Sequence, residues 1–515
     1  MTWARCLHPL VLLLTLSCAA STACGQGAAP ARVSEAAPPP IARELRAVWV
    51  ATVENMDWPS RKGLSTAAQQ QELVAMLDKL VELRMNAIVF QVRPAADALY
   101  QSSIEPWSDV LTGQMGRAPS PYYDPLAFAI DEAHKRGIEF HAWINPYRAK
   151  HPSTHGVAPD HVSRTHPELV RTYGPYLWLD PGDPAVRALS ERVVFDLVRR
   201  YDIDAVHMDD YFYPYPEVRH HREIPFPDDA TWQRYRREGG TLSRDDWRRE
   251  NVNLLVKELH EGVHAIKPWV RFGISPFGIW RPGHPASVRG LDQFSVLYAD
   301  ARKWLREGWV DYLTPQLYWS VNKPQQRYDE LLRWWVEQNT HGRHIWPGNY
   351  TGKVAFTGSA AWRTNEVMEQ IRLTRAQPGA TGNVHFSMSV FMQDPDSLNE
   401  TLMRGAYAQP ALVPASPWLA SDSLATPNIV VRTDPATGSR KLELRPGARP
   451  GSPARAPWLW AVQTRTTMGW RTEIVPGTTR TLALPARDDS STLDVRVTSV
   501  GQTGVTSVPV RLVSP

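Results

Sequence analysis

Residues 183–213 read DPAVRALSERVVFDLVRRYDIDAVHMDDYFY. Asp183-Pro184 is a helix opening: the aspartate caps free N–H groups, and a proline at the first helical position has its φ already set and no N–H to satisfy. Beyond it Leu189, Val193, Val194, Leu197 and Val198 recur on one side, which predicts an amphipathic helix. A short apolar strand follows over Asp204–Met208, with two carboxylates, Asp209 and Asp210, at its tip. A helix feeding a short strand that ends in polar residues is one unit of a parallel sheet.

The same unit repeats in both directions. Strands are predicted at Ala47–Thr52, Ala87–Val92, Glu139–Asn145, Ala205–Asp209, Arg271–Ser275, Tyr312–Leu317, Ile345–Asn349 and Val384–Ser389. Between them Leu73, Met76, Leu77, Leu80 and Val81 form an apolar face within 66–84, and Asp124-Pro125 and Gly137 bracket another helix. Eight such repeats within residues 42–415 predict a (β/α)₈ barrel with long insertions. After Ala415 the texture changes to short alternating strands: Ile429–Val431, Lys441–Leu444, Leu459–Gln463, Thr479–Leu484, Leu493–Val497 and Val508–Val513. Residues 424–515 therefore read as a small β-sandwich, similar to fibronectin type III or immunoglobulin-like modules and expected to act as a spacer or binding module.

In such a barrel the reactive groups stand at the carboxyl ends of the strands. Alternation puts His207 and Asp209 on one side of the fourth strand and Met208 and Asp210 on the other. Adjacent carboxylates there suit attack on an acetal, one protonating the leaving oxygen and the other serving as nucleophile or base. Asp209 is the candidate nucleophile or base and Asp210 its partner; the plain alternative is a loop tied by Asp side chains. Asp57 and Glu105 are further candidates for the second carboxylate. The chain has 21 Trp, and Trp143, Tyr147, Tyr211, Tyr213, Tyr318 and Trp319 fall at strand ends, where aromatic faces can stack on sugar rings. Trp304, Trp334 and Trp335, on helical stretches, read as core. Asn145 and Gln316 are candidate partners for sugar hydroxyls, and Arg93 either binds substrate or pairs with Asp97. Asp97, His141 and His207 are further substrate-binding candidates; the two histidines could also join Asp209 in a metal site, but no HExxH or CxxC supports one, so neither metal nor cofactor is expected. The serine elbow, P-loop and dinucleotide fingerprint are missing.

The composition is that of a globular protein with a large core. Of 515 residues, 57 are Lys or Arg and 53 Asp or Glu, so the near-balanced, dispersed charge gives no footprint for nucleic acid. Residues 1–24 carry Arg5 ahead of the apolar run Leu10–Leu16 and then small residues before Cys24, as an export signal does. All three cysteines, Cys6, Cys18 and Cys24, lie in this segment, which leaves no internal disulfide for the rest. Ser-Thr-Ala-Cys resembles a lipobox in which Cys24 is acylated; Cys18, or a plain secretory cut, is the alternative. Residues 25–41 read as an Ala/Pro-rich tether. These features predict a lipoprotein held at a membrane by its lipid anchor, in the cell envelope facing the periplasm, or secreted if Cys24 is not acylated.

Several blocks, taken together, carry a family resemblance. Arg46–Val53 with Asp57-Trp58-Pro59, Phe90–Pro94, Glu105–Ser108 with Leu111-Thr112-Gly113, His141–Arg148, Asp209–Tyr213, Gly273–Pro276 and Pro315–Trp319 resemble, in order along residues 44–400, the glycosyl hydrolase-like 10 family. The resemblance implies a glycosidase-type (β/α)₈ barrel in a bacterial envelope protein, often a lipoprotein, with cell-wall glycan as substrate class. It maps a catalytic carboxylate to the Asp209-Asp210 pair, by analogy with barrel glycosidases that use a fourth-strand acid. The fifth and sixth strand tips lack the acid that related barrels often keep there. A non-catalytic glycan-binding protein is the competing expectation, and a metal-dependent deacetylase or a lyase a third.

Overall fold

The computed structural model describes residues 37–420, 424–448, 456–466, 468–484 and 493–514. The export segment with Cys18 and Cys24, and most of the tether, lie outside them. Among the described residues no helix is long and apolar enough to cross a membrane.

Eight βα units follow one another. The strands are β1 (Leu45–Val50), β2 (Ala87–Arg93), β3 (Glu139–Ile144), β4 (Ala205–Met208), β5 (Arg271–Ile274), β6 (Tyr312–Leu313), β7 (His344–Ile345 and Gly348–Asn349) and β8 (Gly382–His385). The main helices after them are α1 (Thr66–Glu82), α2 (Pro125–His134), α3 (Pro184–Arg200), α4 (Arg244–Ile266), α5 (Ala301–Arg306), α6 (Tyr328–Glu337), α7 (Thr364–Ala376) and α8 (Leu398–Arg404). All neighbouring pairs in the sheet are parallel, in the order β7 (first half), β6, β5, β4, β3, β2, β1, β8, β7 (second half). The two ends of that list are halves of one strand, so the sheet closes on itself. The break falls at Trp346-Pro347, because proline offers no N–H to a ladder.

Local signals act as their chemistry dictates. Asp124 and Asp183 cap α2 and α3 by accepting from Ala127 N and Ala185 N, each with proline in the first turn. Gly137 adopts φ 70° after α2, a conformation that penalises a Cβ. Several strands differ from expectation: β1 starts and ends two residues earlier, β6 has only Tyr312–Leu313, β7 is split, and Met388–Gln393 is helical where the eighth strand was expected to run on.

Two cores result. The larger lies between the sheet and its helices and includes Trp304, Trp334 and Trp335. The smaller fills the barrel, with Ala47, Trp49, Val89, Trp143, Ala205, Tyr312, Trp346 and Val384 pointing inward. Residues facing inward on β3 to β5 also include the polar series Glu139, His141, His207 and Arg271, all buried.

The C-terminal region forms two antiparallel sheets. One contains β9 (Asn428–Thr433), β10 (Arg440–Arg445) and β13 (Thr481–Ala483); the other is ordered β12 (Gly469–Pro476), β11 (Leu459–Thr466), β14 (Leu493–Val500) and β15 (Val510–Ser514). Strand β12 was not expected, its mixed polarity hiding the alternation. Leu442, Leu444, Trp460, Val462, Val495 and Val497 from both sheets form the core of the sandwich. This sandwich docks at the amino ends of the barrel strands. Arg43 Nη1 donates to Gly504 O at 2.8 Å, Ser416 N to Thr503 O at 2.8 Å, and the Trp458 and His134 rings meet at 4.6 Å. It thus closes the base of the barrel, opposite the strand tips.

Candidate active site

Strand β4 runs inward with Ala205 and His207 and delivers Asp209 to the mouth. Three donors fix the Asp209 carboxylate: Trp143 Nε1 at 3.1 Å to Oδ2, Asn145 Nδ2 at 2.9 Å to Oδ1, and Tyr211 N at 3.2 Å to Oδ1. Asn145 is itself held, its Oδ1 accepting from Tyr147 N and Arg148 N. Burial raises the Asp209 pKa, against the lowering pull of the nearby Arg148 cation and these donors. Asp210 accepts from Tyr215 Oη and from the Gln316 side chain. Burial first, and the neighbouring Asp209 charge second, raise its pKa to about 6. The pair is therefore unequal: Asp209 is surrounded by donors and a cation, whereas Asp210 holds its proton up to about pH 6.

Aromatic rings arc around this pair. Tyr211 is 36% exposed and meets Tyr215 at 5.3 Å between centroids; Phe277 meets Trp319 at 5.5 Å, and Tyr318 meets Tyr350 at 5.1 Å and Phe386 at 5.9 Å. The Arg148 guanidinium lies 4.6 Å over the Tyr211 ring, an arrangement that holds both. Partly exposed rings beside paired carboxyls are suited to sugar faces. Gln316 is anchored by donating to Ser275 O at 3.0 Å, which leaves its carboxamide at the rim beside Asp210.

Beneath the floor runs a buried hydrogen-bonded chain. Trp49 Nε1 donates to His207 Nε2 at 3.2 Å, and an indole is a donor only, so His207 carries its proton on Nδ1. That proton faces Tyr312 Oη at 3.0 Å; Tyr312 in turn donates to His141 Nδ1 at 3.1 Å, and His141 Nε2 donates to Glu139 at 3.2 Å. Arg271 Nη1 completes the chain on Glu139 at 3.0 Å. Both imidazoles are fully buried, and burial lowers the pKa of His207 well below its usual value. His141 and His207 thus support the floor and do not reach a ligand in the mouth, which corrects their expected role in substrate binding. Gly273 makes the chain possible: a Cβ there would sit 2.1 Å from the Tyr312 ring. Gly273→Ala is expected to cost about 1–3 kcal/mol by overpacking, read as a lower denaturant midpoint; an unchanged midpoint would show that the ring has room to move.

Other expectations need correction. Arg93 pairs with Glu105 and not with Asp97: its Nε lies 2.8 Å from Oε2, its Nη2 also donates to Glu105, and its Nη1 donates to Asn145 O. The guanidinium and the carboxylate are taken up with each other, so Arg93 is withdrawn from substrate and Glu105 from acid–base work. The reason is an irregularity in β2, where Gln91 pairs with Trp143 but Arg93 with Ile144, turning Arg93 outward. Asp97 accepts from Ala95 N at 2.8 Å and from Ser108, a loop tie; burial raises its pKa to about 6. Tyr147 and Tyr213 are buried away from the mouth, Tyr213 against Phe226 and Tyr298. Asp57 joins the β1 and β8 loops, accepting from Ala51 N, Ser387 Oγ and Ser389 N at 2.8–2.9 Å. Arg148, Tyr215, Ser275 and Tyr350 were not singled out by sequence; Arg148 sat in the quoted 141–148 block, and its charge was the available signal.

Among the described residues His260, His264 and Asp311 bring three donor atoms within 4.8 Å, at the opposite end of the barrel. His264 Nε2 is already 2.9 Å from Asp311 Oδ2, which also accepts from Phe272 N, while Trp418 Nε1 donates to Oδ1. The cluster ties α4 to the start of β6.

The profile described as glycosyl hydrolase-like 10 matches residues 44–371. Glycosyl hydrolase YngK of Bacillus subtilis (strain 168) is 42% identical over 406 residues, 77% of this chain and 78% of that protein. Glycosyl hydrolase DigH of Escherichia coli (strain K12) is 36% identical over 373 residues, 66% of this chain and 82% of that protein. Among solved structures, the glycoside hydrolase domain of PgaB (BpsB) from Bordetella bronchiseptica matches 70% of this chain and 98% of its own, at a TM-score of 0.45 and 13% identity. The catalytic domain of a β-amylase from Paenibacillus polymyxa matches 68% and 94%, at a TM-score of 0.45 and 13% identity.

Proposed function

The chain belongs to the glycosyl hydrolase-like 10 family, and from that premise we propose that it is a glycoside hydrolase of the bacterial cell envelope, acting on O-glycosidic bonds in the glycan strands of peptidoglycan. The observation that carries the activity is the unequal Asp209–Asp210 pair at the tip of β4, one carboxylate surrounded by donors and the other protonated near pH 6. The aromatic arc supplies flat apolar faces for sugar rings, and Gln316 and Arg148 supply polar groups at its edge. The fibronectin type III-like sandwich docks at the barrel base, the end opposite the strand tips that carry the carboxylates.

Incubating the protein with purified peptidoglycan, with and without its stem peptides, and weighing the products by mass spectrometry tests the reading. Shorter glycan fragments are expected. Intact glycan in both preparations, with retained binding, would instead indicate a glycan-binding protein.

The proposed envelope location rests on the lipobox-like run ending at Cys24. Cys24→Ser is expected to abolish labelling by a radioactive fatty acid and to move the protein from the membrane to the soluble fraction. Persistent labelling would place the lipid at Cys18.

A further inference from the structure

The two carboxylates raise a geometric question about the reaction. Their Cα atoms are neighbours, about 3.8 Å apart, and both carboxyls are held at one strand tip: Asp209 by Trp143 and Asn145 of the β3 end, Asp210 by Tyr215 and Gln316. Direct displacement at an anomeric carbon needs a nucleophile, or a base-activated water, on the face opposite the leaving group. Carboxylates that do this normally come from separate elements flanking the bond. Among the described residues the other carboxylates considered for this role are committed elsewhere. Glu105 is sealed against Arg93, and Asp57 is occupied by Ala51, Ser387 and Ser389. Glu54, on the β1 loop, is solvated and faces His151 at 3.6 Å. Asp209 in turn has donors on both oxygens, a setting that favours a fixed, charged hydrogen-bond acceptor over a free nucleophile.

From this arrangement we propose that the substrate supplies its own nucleophile: the carbonyl oxygen of a 2-acetamido group on the sugar at the cleavage point. The inference rests on the glycosidase reading and restricts it to polymers of 2-acetamido sugars. In the first step that oxygen bonds to C1 while the bond from C1 to the bridging oxygen breaks. Asp210 passes its proton to the bridging oxygen, releasing a neutral hydroxyl and becoming a carboxylate. The cyclic oxazolinium ion holds the positive charge, and the Asp209 carboxylate accepts its N–H and stabilises it. In the second step water adds to C1 from the vacated face and gives a proton to Asp210. The acetamido oxygen leaves C1 and becomes a carbonyl oxygen again, so the anomeric configuration is retained and the enzyme returns to its starting protonation.

The test uses the full chain on three hexasaccharides: a β-1,4-linked N-acetylglucosamine oligomer, its N-trifluoroacetyl analogue and cellohexaose. Neighbouring groups are worth effective molarities of about 10⁵–10⁸ M, so the analogue, whose carbonyl is a poor nucleophile, is expected to be cut at least about 100-fold more slowly and cellohexaose not at all. A thiazoline mimic of the ring intermediate should inhibit competitively, and Asp209→Asn should weaken its binding. Cleavage of cellohexaose at a comparable rate, or a glycosylated Asp209 trapped with a 2-fluoro sugar, would overturn the inference while leaving a hydrolase. No cleavage of any of these or of peptidoglycan, with no binding of the thiazoline, would remove both.

Discussion

Asp210→Asn is expected to lower kcat by about 10²–10⁴-fold, the range supplied by a positioned general acid, with substrate binding little changed. The wild-type enzyme should show a bell-shaped pH profile. Asp210 must be protonated to act, and burial and the Asp209 charge hold its pKa at about 6, so kcat/KM falls on the alkaline side of that value. Asp209 must be ionised, and burial raises its pKa, so the profile also has an acid limb, displaced upward from the ordinary carboxylate range. The variant should lose the alkaline limb. A second readout separates function from fold damage. A carboxyl whose pKa is raised in the folded state destabilises the fold wherever it is charged, fully above its folded pKa, and the penalty fades as pH falls toward the unfolded value near 3.8. Removing that charge should therefore stabilise the protein at neutral pH, by about 1–3 kcal/mol, and change nothing at pH 3. A variant that is less active and also less stable would mean that Asp210 holds the loop and does not donate a proton.

The second large effect concerns Arg93 and Glu105, each almost fully buried and joined through the guanidinium fork. Glu105→Gln leaves an uncompensated cation in the interior and is expected to cost about 3–5 kcal/mol. Replacing both residues by apolar ones of similar size, Arg93→Met with Glu105→Leu, should recover most of that loss, because a buried pair contributes little net stability over a packed apolar one. Arg93 also donates to Asn145 O, and Asn145 Nδ2 holds Asp209, so the stable double variant should still turn over more slowly than wild type. Chemical denaturation of the three variants with parallel kinetics measures both. Full activity in the double variant would show that Asn145 is positioned by its own turn alone.

Much of the barrel was legible in the sequence because strands and helices bury faces with fixed periods. The apolar positions of 183–198, the proline-opened helices and the inward side of His207 and Asp209 follow from periods of 3.6 and 2.0 and need no partner. The aspartate pair was legible for the same reason, being at the end of a strand whose direction is fixed by the helix before it. Alternation could not give depth. His207 shares a side with Asp209 yet lies under the floor, because the barrel stacks inward residues in layers and only the top layer meets solvent.

What tertiary structure alone decided is which polar side chains are free. Arg93 was pointed away by one irregularity in β2, Glu105 was drawn to it across a loop, and Tyr147 left the strand line just after Asn145. Arg148 reached the mouth from the same segment. Hydrogen-bond partners are long-range choices settled by packing, since a buried charge or donor must find a partner wherever the folded chain puts one. Sequence by itself determined the repeat, the closure and the place of the carboxylates. The fold decided their inequality, because burial and the neighbouring charge that set it exist only once strands from distant parts of the chain stand side by side.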